Sequence, residues 1–422
     1  MNIMFVAELR CANCSRSYRP DDVEYTCPVC GQVGTLDVVY DVETLRRAVS
    51  PADIECNSDR SMWRYRPLLP LDQNAQVPPL MVGGTPLYEA PRLADHFGLA
   101  QTWVKDDGRN PTGSLKDRAS ALVVARAMAD GIEVVTTAST GNAAAALAGL
   151  AASVGLPAVI FVPAAAPEAK IAQLLTYGAK VLLVQGNYDA AFDLAVAASE
   201  RYGWYCRNTG MNPYTLEGKK TVAYEIAEQL GWQVPDVVVV SVGDGNIISG
   251  VYKGFYDLLA LGWIDRMPRL IGVQSRGSAA CYEVWKRGDN PATMQPINAQ
   301  TVADSIASDL PRDRVKAVRA VRETNGAFVA VSDQAILDGI PALARLSGVF
   351  AEPAASATFA GVKAAIEEGH IQPQDRVLLL VTGNGLKDIK SAMRVAGAGY
   401  PVAPSIDEVE KARVELGLPT FR

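Results

Sequence analysis

Histidine is nearly absent from this chain, which has only two, His96 and His370, in 422 residues. Catalysis by a histidine base is therefore improbable, and an enzyme of this sequence needs lysine, hydroxyl or carboxylate groups, or a cofactor. Cysteine is also scarce. Four of the seven cysteines form two CxxC pairs, a distribution that does not indicate a disulfide framework.

Basic tracts and long apolar runs are missing too. The net charge is −6 and no basic tract of five or more residues occurs, which argues against nucleic acid or an anionic membrane as the main partner. No apolar run is long enough to span a membrane. The first residues, MNIMFVAELR, lack a basic leader and a full apolar core, so we expect a cytoplasmic protein.

What is present is a strand–helix alternation that begins near residue 100. Apolar runs such as DVVVVSV and RVLLLVT fit parallel strands that are buried on both faces, and they predict an α/β protein. Helical runs lie between the strands, including Pro167–Tyr177 and Thr215–Leu230. The predicted strands are Thr102–Val104, Val134–Thr137, Ala158–Val162, Val181–Gln185, Val237–Val242, Leu270–Gln274, Phe328–Val331 and Val377–Thr382.

The length exceeds that of one typical core, so we expect two parallel-sheet domains with additional segments. The predicted parts are a four-cysteine segment at 1–40, an extended arm at 41–90, a large domain at 91–135 and 215–400, a small α/β domain at 136–214, and a C-terminal helix or tail at 401–422. Prolines and a Gly-Gly pair in the arm favour an extended path over the body.

The two CxxC pairs predict a zinc-ribbon-like segment. Each pair forms a tight knuckle, and two knuckles supply four thiolates to one structural zinc ion. The predicted ligands are Cys11, Cys14, Cys27 and Cys30. Such a closed site has no open position for a substrate, so we assign it no catalytic role. The alternative is two coincidental pairs or a redox motif, although a thioredoxin-type motif would need a single CxxC beside a βαβ unit.

The stretch GRNPTGSLKDR spaces Gly108 and Gly113 as a Walker A loop does, but its lysine arrives late, at Lys116. We expect Ser114 to cap a helix whose first turn holds Lys116. A helix N-terminus and burial both lower the pKa of a lysine, and a neutral amine suits Schiff-base chemistry. The spacing alone fits equally a solvated lysine paired with Asp117.

Three further loops follow predicted strands, where ligands bind in open α/β sheets. Ser139-Thr140-Gly141-Asn142 opens an alanine-rich helix and suits a carboxylate or phosphate, or is an ordinary helix cap. The loop 243–246 (GDGN) is typical of a phosphate-binding turn, or is a plain strand–helix connection. Its glycines do not match GxGxxG, and Gln274 stands where a ribose-binding acid would be expected. A fourth loop, TGNGLKD, places the Thr382 hydroxyl at a strand end.

Together, a lysine held neutral, a phosphate-binding turn and a carboxylate-binding helix end indicate pyridoxal 5′-phosphate (PLP) acting on an amino acid. NPTGSLKDR resembles the lysine motif of the fold-type II PLP enzymes, whose fold is tryptophan synthase β-like. Over nearly its whole length, the chain is similar to the threonine synthase family. The resemblance runs in order through the cysteine-bearing N-terminus, MWRYRPLLP, GGTPL, GRNPTGSLKDR, STGNAAA, NPYTLEGKKT, VGDGNI and TGNGLKD.

This resemblance implies a role for each loop. Lys116 bonds covalently to the cofactor and moves protons, Asn142 hydrogen-bonds the cofactor's 3′-oxygen, and Thr382 faces the pyridine nitrogen. The substrate carboxylate is bound by Ser139, Thr140 and Gly141. The cofactor phosphate is held by the N–H groups of Gly243, Asp244, Gly245, Asn246 and Ile247.

The implied reaction is that of a carbon–oxygen lyase, converting O-phospho-L-homoserine and water to L-threonine and phosphate, by a homodimer. Asn212 is our candidate for the substrate phosphate, followed by Lys219 or Lys220, for which a plain surface role is equally open. The sequence departs from the family at Asn384, where many members have histidine, and at Ala143, where some have a hydroxyl.

Three alternatives stand beside this interpretation. A related fold-type II enzyme, such as a threonine or serine dehydratase or another β-replacement enzyme, would use the same cofactor. Dehydratases often carry a regulatory domain, for which this chain has no length left. A zinc-ribbon binding protein would have an α/β body without catalysis. A nucleotide-binding protein would need a lysine directly after Gly113, where Ser114 stands.

Overall fold

The computed structural model of the chain describes residues 5–166, 168–186 and 188–420. The ends of the predicted segments 1–40 and 401–422, and Pro167 at the start of one predicted helix, lie outside these residues. The strands are β1 Val6–Cys11, β2 Ser17–Tyr18, β3 Leu36–Tyr40, β4 Leu87–Glu89, β5 Gln101–Asp106, β6 Val135–Ala138, β7 Ala158–Pro163, β8 Lys180–Val184, β9 Tyr205–Cys206, β10 Val237–Ser241, β11 Arg269–Ser275, β12 Ala327–Val331 and β13 Arg376–Val381.

Most of the helices connect these strands or cover the sheets. They are α1 Val42–Ala48, α2 Pro51–Glu55, α3 Pro91–Phe97, α4 Lys116–Ala129, α5 Asn142–Ser153, α6 Glu168–Thr176, α7 Tyr188–Tyr202, α8 Tyr214–Lys219, α9 Thr221–Gln229, α10 Asn246–Leu261, α11 Ala280–Arg287, α12 Arg314–Glu323, α13 Asp333–Ser347, α14 Pro353–Glu367, α15 Ile389–Met393 and α16 Ile406–Glu415. Within the described residues, none is long and apolar enough to cross a membrane.

The strands form three sheets. A six-stranded sheet has the order β12-β11-β10-β13-β5-β4, and a four-stranded sheet has the order β8-β7-β6-β9. All neighbours in both sheets are parallel except β4, which runs antiparallel to β5. The third sheet, β2-β1-β3, is antiparallel and lies in the cysteine-bearing segment. The predicted α/β class with parallel sheets is confirmed.

The apolar runs explain the parallel strands. Every residue of β10 (VVVVS) is buried, because helices cover both faces of the six-stranded sheet. The cysteine-bearing segment has no core of its own. Leu9 and Leu36 are fully buried and belong to the same apolar cluster as Phe255 of α10. This segment is therefore stabilised by packing against the body.

One predicted helix is divided in two, and one short strand of the six-stranded sheet was not predicted. The helix predicted at Thr215–Leu230 consists of α8 and α9, which meet at Lys220. The break follows Gly218, which lacks a side chain because the backbone oxygen of Arg118 would lie 2.2 Å from its Cβ. Strand β4 was not predicted, because three residues carry no periodicity that could distinguish a strand from extended arm.

Candidate active site

A cavity of about 320 Å³ lies at the carboxyl ends of β6 and β10. It brings together the lysine motif, the loop before α5 and the loop before α10, which are far apart in sequence. Predicted site residues in its lining are Lys116, Ser139, Thr140, Gly141, Asn142 and Asp244. The lining also includes Arg207 and Thr209, and a polar loop at 299–312.

The start of α4 presents Lys116 to this cavity. The Leu115 N–H donates to the Thr382 carbonyl over 2.9 Å, and the Asn384 N–H donates to the Gly113 carbonyl over 3.0 Å. Gly113 has φ +86°, which favours glycine. The lysine motif is thus fixed directly to the end of β13. The predicted cap is wrong, since the buried Ser114 Oγ has no hydrogen-bond partner among the described residues.

Lys116 is half-buried, and its Nζ forms no hydrogen bond or ion pair with any described residue. Burial lowers the pKa of Lys116, although the Asp244 carboxylate opposes this effect. Asp117 is not its partner. The fully buried Asp117 carboxylate accepts hydrogen bonds from the Thr112 N–H at 2.7 Å and from the Thr112 hydroxyl at 2.5 Å. The alternative of a solvated Lys116–Asp117 pair is therefore wrong.

The loop Gly243–Ile247 has the form of an anion-binding turn. Gly245 has φ +90° and immediately precedes α10. A Cβ on Gly243 would lie 2.8 Å from Ile306 Cα, so the loop before α12 presses directly on the turn. Among the described residues, the N–H groups of Gly243, Gly245 and Ile247 have no hydrogen-bond acceptor. Unpaired N–H groups at a helix N-terminus suit a phosphate.

The Asp244 carboxylate belongs to the same turn. It accepts a hydrogen bond from the Asn246 N–H over 3.0 Å. The ammonium groups of Lys116 and Lys219 lower the pKa of Asp244 despite its burial. A phosphate bound here would therefore lie beside both an acid and two lysines.

The loop before α5 offers a second set of donors. Ser139 Oγ accepts from the Gly141 N–H over 3.2 Å, while the N–H groups of Thr140 and Ala143 donate to no described residue. Asn142 Nδ2 donates to Glu352 Oε1 over 2.8 Å, a contact between residues 210 positions apart. This loop can bind a carboxylate.

Thr382 and Asn384 contact the lysine motif at Leu115 and Gly113, and neither is among the residues that line the cavity. Thr382 is buried and follows β13, where it joins the lysine motif through its carbonyl. Asn384 Oδ1 accepts from the Leu386 N–H over 2.9 Å, so this side chain closes its own turn. Ala143 lines the cavity without a polar group. A contact between the Thr382 hydroxyl and a cofactor ring stays a prediction.

Arg207 lines the cavity and was missed by the sequence analysis. It is fully buried and follows β9. Its Nε donates to the Ser120 hydroxyl over 3.2 Å, and its Nη1 donates to the Thr209 hydroxyl over 2.6 Å. Ser120 lies one turn after Lys116 on α4, so the guanidinium is oriented by the lysine helix. Arg207 could have been predicted from the sequence, since it is a basic residue directly after a strand and before Asn-Thr-Gly.

The three candidates for the substrate phosphate occupy different places. Asn212 lies outside the cavity lining, where Nδ2 donates to the Cys206 carbonyl over 2.9 Å and Oδ1 accepts from the Tyr214 N–H over 3.0 Å. Its contact with substrate stays a prediction. Lys220 is buried between Glu217 at 2.5 Å and Asp257 at 2.8 Å, which makes it a structural ion pair. Lys219 is buried at the start of α10, where its Nζ donates to Asn246 Oδ1.

The four predicted metal ligands converge. The Sγ atoms of Cys11, Cys14, Cys27 and Cys30 all lie within 4.8 Å of one another. The Cys14–Cys27 distance is 3.8 Å. Four sulfurs at about 2.3 Å from a central zinc ion would be separated by about 3.8 Å in a tetrahedron. The four thiols could therefore hold one metal ion.

A glycine permits this convergence. A Cβ on Gly34 would lie 2.6 Å from the Cβ atoms of both Cys27 and Cys30. The segment also contacts the cavity wall, because Gln32 Oε1 accepts from Arg312 Nη1 over 2.9 Å.

The family described as "Pyridoxal-phosphate dependent enzyme" matches residues 79–383. A threonine synthase of Methanosarcina acetivorans is 38% identical over 405 residues, covering 96% of this chain and 98% of the relative. A threonine synthase of Methanocaldococcus jannaschii is 38% identical over 408 residues, covering 96% and 99%. The solved threonine deaminase isoform 2 of Solanum lycopersicum has a TM-score of 0.63 and 24% identity, covering 75% of this chain and 84% of that one, and supports the fold alone.

Proposed function

Because the chain belongs to the threonine synthase family of pyridoxal-phosphate dependent enzymes, we propose that it converts O-phospho-L-homoserine and water to L-threonine and phosphate. The observation that carries the proposal is the cavity in which Lys116 lies beside the loops before α5 and α10. These loops supply the lysine, the phosphate-binding turn and the carboxylate-binding donors that the chemistry requires.

The residues fit PLP. The unpaired N–H groups of Gly243, Gly245 and Ile247 would bind its phosphate, and Lys116 would bond to its aldehyde. We propose that Asn142 contacts the 3′-oxygen and that Thr382 faces the pyridine nitrogen. When bound, the cofactor supplies an electron sink that stabilises negative charge on the amino-acid substrate.

We propose that the Lys116 amine would carry the protons of the reaction. Its Nζ takes the proton from Cα and returns protons along the side chain. Burial lowers the pKa of Lys116 below the usual lysine value, which favours the neutral amine. Its fixed position at the start of α4 restricts the atoms that it can reach.

The substrate carries negative charge at both ends. We propose that Ser139, Thr140 and Gly141 bind its carboxylate at the start of α5. For its phosphate, we propose the Arg207 guanidinium and the Thr209 hydroxyl, because both line the cavity and are already oriented toward each other. Asn212 would not contact the phosphate directly but would position the loop that carries Arg207 and Thr209.

The deciding experiment incubates purified PLP-loaded protein with O-phospho-L-homoserine and measures phosphate and L-threonine in equal amounts. The related dehydratase activity would give 2-oxobutyrate from threonine, or pyruvate from serine, without phosphate. If 2-oxobutyrate or pyruvate forms and phosphate does not, the proposal is wrong.

We also propose that Cys11, Cys14, Cys27 and Cys30 bind a structural zinc ion, on the support of their mutual distances. Elemental analysis of the purified protein would give one zinc per chain, and Cys27→Ser would lower that ratio. Cys56→Ser is the matched control, since Cys56 is exposed and far from the cluster in sequence. The homodimer and the cytoplasmic location stay predictions, which sedimentation and cell fractionation would test.

A further inference from the structure

Lys219 is a fully buried cation at the phosphate-binding turn. It is the last residue of α8, and its side chain passes the first turn of α10, since a Cβ on Gly250 would lie 3.0 Å from Lys219 Cβ. Its Nζ donates to Asn246 Oδ1. The carboxylates of Asp244 and Asp313 also act on its charge, but the effect of burial outweighs theirs, so a further anion beside Nζ would stabilise the ammonium form.

Asn246 fixes the direction of this ammonium group. Its Nδ2 donates to the Asp313 carboxylate, which leaves Oδ1 for Lys219. Asn246 and Asp313 are both almost fully buried, so the amide has little freedom to turn. The chain Asp313–Asn246–Lys219 therefore holds the ammonium group at the start of α10, the helix that directly follows the turn with the unpaired N–H groups of Gly243 and Gly245.

The charges around Lys219 also favour an anion beside its ammonium group. Burial lowers the pKa of Lys219 well below its usual range, and the neighbouring Lys116 lowers it further. A phosphate dianion in the turn would be repelled by the carboxylates of Asp244 and Asp313, and the Lys219 ammonium group would offset that repulsion.

We propose that Lys219 is a phosphate ligand of the cofactor site, which binds the phosphate group directly together with the N–H groups before α10. This assignment rests on the proposed PLP-dependent function and differs from the earlier candidacy of Lys219 for the substrate phosphate. Its neighbour Lys220 has the opposite character, because it is neutralised by Glu217 and Asp257 within the fold.

The test compares PLP with pyridoxal, which has the same ring and aldehyde but no phosphate. Equilibrium binding of each to the apoprotein is measured by absorbance for the wild type and for Lys219→Gln. A lost charge-assisted hydrogen bond predicts PLP binding about 10- to 100-fold weaker, with pyridoxal binding changed less than about threefold. Lys219→Arg, which keeps the charge, should recover most of the PLP affinity.

Lys220→Gln is the matched control. It should lower the urea midpoint and leave the ratio of PLP to pyridoxal affinity unchanged. If Lys219→Gln does not fold, Asn246→Leu keeps the Lys219 charge and removes its anchor, and PLP should then weaken several-fold relative to pyridoxal. Equal effects on both ligands, or no effect on either, would overturn the assignment. This ratio does not depend on turnover, so failure to release phosphate from phosphohomoserine would contradict the proposed reaction and leave the role of Lys219 standing.

Discussion

Substitution of alanine for Gly245 tests whether the turn before α10 is shaped to bind an anion. Gly245 has φ +90°, where a residue with a Cβ is strained by about 1–2 kcal/mol. The added Cβ would also lie 2.8 Å from Ala317 Cβ and 3.1 Å from the Asp313 carbonyl oxygen. Relieving such overlap in a packed interior costs about 1–3 kcal/mol. We therefore expect Gly245→Ala to destabilise the protein by roughly 2–5 kcal/mol.

Gly262, at the other end of the same helix, supplies the control. It has φ +75° and nothing within 4 Å of an added Cβ, so Gly262→Ala isolates the backbone strain. We expect it to lower the free energy of unfolding by about 1–2 kcal/mol. It should leave PLP affinity unchanged, because it is distant from the turn along α10.

The assays are urea unfolding of each apoprotein and equilibrium binding of PLP. Movement of the turn away from Ala317 would misdirect the N–H groups of Gly245 and Ile247, and the loss of one charge-assisted hydrogen bond weakens binding by about tenfold or more. Gly245→Ala should therefore bind PLP at least tenfold more weakly than Gly262→Ala. If both variants bind PLP like the wild type, the phosphate is bound elsewhere and this account of the turn is wrong.

Three further substitutions test the site. Lys116→Ala should abolish the visible absorbance of the lysine-bound cofactor, and a variant that keeps this band would refute the choice of lysine. Arg207→Gln should raise KM for phosphohomoserine at least tenfold while the cofactor band persists, because the cation that we propose for the substrate phosphate is lost. The exposed Arg201→Gln is its control, and equal KM values for the two variants would contradict the assignment. Burial raises the pKa of Asp117 to about 6 from its usual value of 3.8. Between these two pH values the unfolded chain releases a proton that the folded protein retains. Asp117 therefore becomes more destabilising as the pH rises from about 4 to about 6. Asp117→Asn should gain stability relative to the wild type by about 2–3 kcal/mol between pH 4 and pH 7 in urea titrations, and a pH-independent difference would contradict the assigned pKa.

Many of the strands and helices could be predicted because they depend on local patterns of apolar and turn residues. Strands such as Val237–Ser241 and Arg376–Val381 are short apolar runs between turn residues, and their bounds differ from the predicted ones by at most a residue at either end. What local patterns omit is the order of strands. β13 lies between β10 and β5, an arrangement that depends on packing across the whole sheet.

Lys219 and Lys220 show the limit within the site. The two lysines cannot be distinguished in the sequence, but successive residues of a helix point about 100° apart around its axis. One ammonium group therefore reaches the turn before α10, and the other reaches the carboxylates of Glu217 and Asp257. Their difference could not be predicted without the position of α10.

The sequence by itself determined the chemistry available to this protein: a lysine at a helix start, a glycine turn after a buried strand, and four thiols at zinc-ribbon spacing. Each is a short-range feature, because steric and hydrogen-bonding rules act between near neighbours in the chain. Only the tertiary structure decided which groups meet, such as Asn142 with Glu352, 210 positions away, and Arg207 with Ser120, 87 positions away. Contacts of this range depend on sheet order and helix packing, and no local pattern encodes them.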